Sequence, residues 1–311
     1  MKSQAGPVTT EERQQALLHD RDRAAVESLG IPVASKLGWD LRRGVMKAYR
    51  YDRRGWADIR DTVVRPMIRR LQPLLVAGMM AAHLRGRRRA IAASRPGRRA
   101  VEFRRASEYG NVYDAAIETL RKRLGLSLDE QNRLETEYSA SAIRVLKDTT
   151  EAIEKKLEAA ILETTAAGEH VREGVKALGA AFDAAGITPE NSFTLEALFR
   201  TQTQTAYGAG RWQASQAPEI QEILWGYKYV TVGDDRVRPE HAGLEGVTAP
   251  KDDPIWKRIW PPNGYACRCS TIEIFEKRKI RLPPAVVEIN GKEYTPGPDK
   301  GFAYNAGVIF G

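Results

Sequence analysis

A chain of 311 residues exceeds the usual single-domain size, and 42% hydrophobic against 29% charged residues excludes a disordered or fibrous chain. The formal charge of +9 is unevenly held: residues 36–105 carry 20 Lys and Arg against 5 Asp and Glu, a net of +15, while the rest, with 29 basic and 35 acidic residues, sums to −6. That asymmetry points to a polyanionic partner for the N-terminal third. The start MKSQAGPVTTEERQQ is polar and lacks the apolar run of a secretory signal. The most apolar stretch, Leu71 to Leu84, is shorter than the ~20 residues a membrane helix needs. It contains His83, is flanked by Arg69, Arg70 and Arg85, and is expected to be a buried helix. Two cysteines, Cys267 and Cys269, make no disulfide framework, so the expected compartment is a reducing cytoplasm.

In chain order, residues 10–29 are expected to form a short polar helix, stopped by Gly30 with Pro32 just beyond. Residues 35–105 hold the basic excess, with Trp39, Tyr49, Tyr51 and Trp56 interleaved among the arginines. Ile59, Val63, Val64, Met67, Ile68 and Leu71 recur at three- and four-residue steps, which predicts an amphipathic helix. The runs RGRRR at 85–89 and RPGRR at 95–99, broken by Gly and Pro, are expected to be an exposed linker. From Leu126 an apolar stripe through Leu134, Tyr138, Ala142, Val145, Ile153, Leu157 and Ile161 predicts a long helix ending near Gly168. Asp129 and Glu130 suit its start, where free N–H groups are partially positive. Val171, Val175, Leu178 and Phe182 continue the helical period up to Gly186.

A further helix is expected to start at Asn191 or Ser192, with Leu195, Leu198, Phe199, Thr205, Ala206, Ala209 and Trp212 as its buried face. Arg200, Gln204, Tyr207 and Arg211 form a second face at steps of four, three and four. After Pro218 the period changes to that of strands: Trp225, Tyr227 and Tyr229 alternate up to Val232, and Arg268–Phe275 follows suit. Val286–Tyr294 contains Asn290-Gly291, the strongest short hairpin signal. The fold class expected is therefore α+β, a mainly helical N-terminal two-thirds followed by a small mixed α/β C-terminal domain. Its divisions are set at 1–105, 106–190, 191–282 and 283–311.

The polar residues of the last third come in a fixed order. Arg200-Thr201 precedes Asp234-Asp235-Arg236-Val237-Arg238-Pro239-Glu240-His241, and Pro261-Pro262-Asn263-Gly264-Tyr265-Ala266-Cys267-Arg268-Cys269 follows. The order R-T, D-x-R-V-R-P-x-H, P-P-N-x-x-x-C-R-C closely resembles the C-terminal domain of the Mu F-like phage minor head proteins. Gly301-Phe302-Ala303-Tyr304-Asn305 resembles that family's tail segment. The likeness covers about 165–280 and 301–307, but not 1–125, and Gln202 stands where the family often has an acid. The resemblance implies a minor capsid protein of phage head morphogenesis, in the virion or prohead and in host cytoplasm during assembly. It would be portal-associated, with the portal, scaffold or major capsid protein as partners and no membrane. Enzymatic activity is not among the family's established properties. It also marks Arg200, Thr201, Arg236, Arg238, Pro262 and Arg268 as motif residues with a structural role.

In an extended C-x-C both side chains share one face, and Cα atoms about 6.6 Å apart lie near the limit for a disulfide. Two thiols on one face are zinc-ligand chemistry, with His241 as third ligand and Asp234, Asp235 or water completing a tetrahedron. The competing reading makes Cys267 and Cys269 small buried residues and has His241 bonded to Asp234. Arg236, Arg238 and Arg268 have phosphate-binding chemistry, but with Asp234, Asp235, Asp252 and Asp253 nearby they are expected to brace loops. Arg85, Arg87, Arg88, Arg89, Arg98 and Arg99 are the candidate contacts to double-stranded DNA, sequence-tolerant and salt-dependent. The alternative class is a metal-dependent hydrolase or nuclease built on His241, Cys267 and Cys269. It is disfavoured because His19, His83 and His170 lie outside this region, and no phosphate-binding glycine loop is present.

Overall fold

A computed structural model of the chain describes residues 8–52, 54–94, 114–166, 171–188 and 193–309. Helix α1 spans Thr10–Arg50 and starts on a capping box: the Glu12 N–H donates to Thr9 Oγ1 and the Thr9 N–H to the Glu12 carboxylate. The expected stop at Gly30 and Pro32 does not occur. Residues Ala16, His19, Arg23, Val26, Gly30, Ala34, Gly38, Leu41, Val45 and Ala48 form one continuous buried stripe, and tertiary contact along it overrides the local breakers. Pro32 and Ser28, whose carbonyl Pro32 cannot bond, are both on the exposed side, so the lost bond does not fall in the core.

Short helices α2 (Trp56–Ile59) and α3 (Arg65–Arg69) flank a π-helical turn at Arg60–Val64, and they bury Ile59, Val64 and Ile68 as the periodicity implies. Helix α4 (Leu71–Ser94) runs on through the RGRRR segment. Residues 85–89 are thus helical rather than an exposed linker: Arg85 and Gly86 are buried, and Arg87, Arg88 and Arg89 are half-buried. The run 95–99 lies outside the described residues. No described helix is long and apolar enough to cross a membrane. Helices α5 (Asp114–Leu124), α6 (Leu128–Ala166) and α7 (Val171–Ala184) follow, and α6 buries Leu134, Tyr138, Ala142, Ile153, Leu157 and Ile161 on its expected stripe. Ser127 caps α6 by accepting from the Glu130 N–H.

Helix α8 (Phe193–Ser215) is the axis of the molecule. From Thr203 to Arg211 every residue is buried, so the two faces expected from sequence become one all-round buried segment. Its apolar side packs along α4, and its polar side meets α1: Arg200 Nε pairs with Glu27 at 3.0 Å, and Tyr207 Oη lies 2.8 Å from His19 Nδ1. Close approach to α4 needs glycine. A Cβ on Gly210 would lie 2.0 Å from the His83 carbonyl oxygen, and one on Gly86 2.2 Å from that of Tyr207.

After α9 (Pro218–Gln221) the chain forms an antiparallel sheet in the order β2-β1-β3 from β1 (Gly226–Val230), β2 (Thr248–Pro250) and β3 (Ser270–Ile274). Period-two alternation sets its two faces. Tyr227 and Tyr229 point into a core with Trp256, Trp260, Cys267 and Cys269, whereas Val230, Ile272 and Ile274 pack on Ala16 of α1. Short helices α10 (Pro239–Ala242) and α11 (Trp256–Ile259) lie in the β1–β2 and β2–β3 connections. Strands β4 (Val287–Ile289) and β5 (Lys292–Tyr294) form the hairpin expected at Asn290-Gly291, with φ of 52° and 74° there, the left-handed pair of a type I′ turn. The last helix, α12 (Ala306–Ile309), packs on α8.

Candidate metal centre

The D-x-R-V-R-P-x-H and C-R-C segments meet beneath the sheet. Pro239 opens α10 at a first-turn position where its missing N–H costs nothing, and the helix carries His241 inward. Cys267 and Cys269 arrive on the run into β3, with Ala266 at φ 52° turning the chain just before them. All three are 1–2% exposed, and their ligating atoms lie within 4.8 Å of one another. His241 Nδ1 is 3.7 Å from Cys267 Sγ and 4.0 Å from Cys269 Sγ. Its other nitrogen, Nε2, faces the Asn263 carbonyl at 3.1 Å and Asp299 Oδ1 at 3.2 Å. Both are acceptors, so Nε2 carries the proton and Nδ1 presents its lone pair to the sulfurs.

The electrostatics follow from this packing. The hydrogen bond from Cys269 holds the Cys267 thiol well below the usual thiol range, with His241 adding to the effect and burial opposing it. Cys269, hydrogen-bonded to Cys267 and buried, is pushed well above that range. Burial pulls the His241 imidazole down, but the hydrogen bond and charge of Cys267 and the charge of Asp299 outweigh it, so the net shift is upward. The cluster therefore favours one thiolate shared between two sulfurs beside an imidazole, which is the donor set of a soft divalent ion.

Asp234 stands apart from these ligands. It accepts from Arg268 Nη2 at 2.6 Å and pairs with Arg236 at 3.2 Å, and these contacts draw its carboxyl down to about 2. Arg238 donates to the Tyr265 carbonyl at 2.6 Å and lies 3.5 Å from Asp299. Arg236, Arg238 and Arg268 thus each engage an acid or carbonyl of the same loops. Arg200 pairs with Glu27, Thr201 Oγ1 accepts from the Ala266 N–H at 3.5 Å, and Pro262 follows a cis peptide bond. A Cβ at Gly264 would lie 2.1 Å from Asp299 Oδ2, so only glycine lets the tail carboxylate reach the histidine.

Asp299 and Arg23 carry no sequence signal for this site. Asn263 stands in the P-P-N-x-x-x-C-R-C order, but nothing in spacing pairs it, or Asp299, with His241. Asn263 Nδ2 donates to Tyr229 Oη and to the Ile259 carbonyl, while its Oδ1 is buried without a partner. Arg23, from the distant α1, donates to the carbonyls of Arg268 and Cys269 at 2.7 and 2.8 Å and so clamps the C-R-C backbone.

Of the basic candidates, Arg85 donates to the Asp22 carbonyl at 2.9 Å, and Arg89 pairs with the Asp22 carboxylate at 2.6 Å. Burial lowers Arg85 to about 10. Arg98 and Arg99 lie outside the described residues. Exposed cations are found instead on α1 and at the α3–α4 junction: Lys36, Arg43, Lys47, Arg50, Arg69 and Arg70.

Comparison with known proteins adds an independent line. The family model described as Phage Mu protein F like protein matches residues 100–272, more than half of the chain. The putative capsid assembly protein F of Escherichia phage Mu is 34% identical over 120 residues, 37% of this chain and 26% of that protein. The Mu-like prophage FluMu F protein of Haemophilus influenzae is 34% identical over 110 residues, 34% of this chain and 26% of that protein. The matched region is about a quarter of the length of these curated relatives. No solved structure matches.

Proposed function

This chain belongs to the Phage Mu protein F like family, and on that premise we propose that it is a minor head protein acting in phage head morphogenesis. The observation that carries the reading is the motif region itself. Its arginines are engaged by acids and carbonyls within the same loops, and its His–Cys–Cys cluster is buried, as befits a tie that holds an irregular loop in place. His241, Cys267 and Cys269 are each only 1–2% exposed, which does not give a substrate access to them in this conformation. A hydrolase built on the same residues needs an open, water-bearing position that substrate reaches. The module is accordingly a docking unit, with portal, scaffold or major capsid protein as its partner and the prohead as its place of action.

The basic N-terminal third is proposed to contact packaged duplex DNA. With Arg85 and Arg89 engaged by Asp22, the exposed cations of α1 and the α3–α4 junction carry that contact, joined by Arg98 and Arg99. Deleting the gene should leave proheads defective, and full-length protein supplied in trans should appear in purified proheads. The full chain should bind two unrelated duplexes alike, with the logarithm of affinity falling by about 0.9 per phosphate neutralised for each decade of salt. The triple variant R43E/K47E/R69E should flatten that slope. Salt-insensitive binding, or none at low salt, rejects the DNA contact while leaving the assembly role to the prohead experiment.

A further inference from the structure

We infer that the tie is a zinc ion, held by His241 Nδ1 and the sulfurs of Cys267 and Cys269; the inference rests on the structural reading of this cluster given above. The argument is geometric. Zinc binds sulfur at about 2.3 Å and imidazole nitrogen at about 2.0–2.1 Å in a tetrahedron, which sets sulfur and nitrogen about 3.6 Å apart. The sulfur–nitrogen separations here are 3.7 and 4.0 Å, and both sulfurs address the same nitrogen. One Nδ1 lone pair accepts one S–H well; facing two sulfurs at near-equal distance suits a shared ion better than a pair of competing hydrogen bonds.

The surroundings have the form of a ligand's supporting shell. Asp299 and the Asn263 carbonyl fix the His241 tautomer from behind, as carboxylates and carbonyls do for metal-bound histidines. A backbone hydrogen bond from Asn263 reaches Cys267, and Arg23 holds the carbonyls on either side of the Arg268–Cys269 peptide. The fourth corner is supplied by no His, Cys, Asp or Glu among the described residues, and Asp234 pairs with Arg268 instead. Asn263 Oδ1, fully buried and without a partner, belongs to a residue already bonded to both His241 and Cys267. The two-sulfur, one-nitrogen set selects zinc over magnesium or calcium, which take oxygen ligands.

The test uses the full chain purified without chelators. Elemental analysis should give about one zinc per chain. Replacement by cobalt(II) should show thiolate-to-cobalt charge transfer and the intense d–d bands of a tetrahedral site, and chelation should lower the melting temperature. The double variant C267S/C269S should lose the metal. If it fails to fold, the cobalt spectrum of the unaltered chain still decides. Zinc well below one equivalent after reconstitution, with no cobalt charge transfer, overturns the inference. If the metal is absent yet C267S/C269S still melts lower, the structural tie stands without its ion. If the metal is present and its removal leaves melting unchanged, the ion stands and the structural reading falls.

Discussion

His19 and His83 sit fully buried in the helical core as neutral groups, each hydrogen-bonded through Nδ1 to a buried tyrosine, Tyr207 at 2.8 Å and Tyr138 at 2.7 Å. Burial, helped by the charge of Arg87, pulls His83 down to about 3; burial and the charges of Arg211, Arg89 and Arg23 pull His19 well below its ordinary value of 6.5. Between those depressed values and 6.5 the unfolded chain takes up protons that the folded chain refuses. Stability should therefore be full above about pH 6.5 and fall as pH drops, by up to about 1.4 kcal/mol per pH unit for each histidine. Urea unfolding at pH 7.5 and pH 5 measures this, and H83Q should remove roughly half of the dependence. The buried pair Arg211–Glu273, 2.5 Å apart with side chains 3% and 2% exposed, gives a second residue-scale expectation. R211M alone leaves a buried carboxylate uncompensated and should cost about 3–5 kcal/mol, while R211M/E273L should recover most of it. An R211M variant as stable as the parent would contradict that account.

At the scale of elements, the α4–α8 contact turns helix propensity against itself. Gly210 to Ala gains about 1 kcal/mol of intrinsic helix preference, yet its Cβ would sit 2.0 Å from a backbone carbonyl that cannot rotate away. Overpacking against side chains costs about 1–3 kcal/mol, and a fixed carbonyl is at the upper end, so G210A should be net destabilising. Gly179, in α7, supplies the contrast: its Cβ would meet only Arg42 and Met46 at 3.6 and 3.9 Å. G179A should stabilise by up to about 1 kcal/mol. Denaturant midpoints of the two variants moving in the same direction would refute the packing argument. The same contact explains why the RGRRR run is helical rather than the exposed linker its composition implies: Gly86 is not a breaker but the notch that lets Tyr207's backbone approach.

Across the whole molecule α1 is the brace. Its second half packs in the helical core, and its first half holds the sheet: Arg13 donates to the Thr231 carbonyl, Lys228 pairs with Glu12 at 2.6 Å, and Arg23 clamps the C-R-C backbone. R23A removes two charge-assisted hydrogen bonds to buried carbonyls, each worth about 1.5–3 kcal/mol. In a W39F/W56F background, tryptophan fluorescence, which then comes from Trp212, Trp225, Trp256 and Trp260 packed about the sheet, should melt before helical circular dichroism, whereas with Arg23 intact the two should coincide. Coincident transitions in R23A would mean that Arg23 is not what couples the parts. What depends on local period and residue type is legible in the sequence alone: the stripe of α6, the strands at Tyr227–Tyr229 and Ser270–Ile274, the Asn290-Gly291 turn, and the order of polar residues that marks the family. The sequence also brings His241, Cys267 and Cys269 together as candidates, because thiols and imidazole are rare enough here to stand out. Long-range packing is what places Gly30, Pro32 and Gly86 inside helices, buries α8 on all sides, and sets Asp299, Asn263 and Arg23 around the cluster. Helix breakers weigh about 1–3 kcal/mol each in isolation, and a long buried stripe outweighs them. Contacts such as Arg23 to Cys269, 246 residues apart, depend on where the chain returns, which no local pattern encodes.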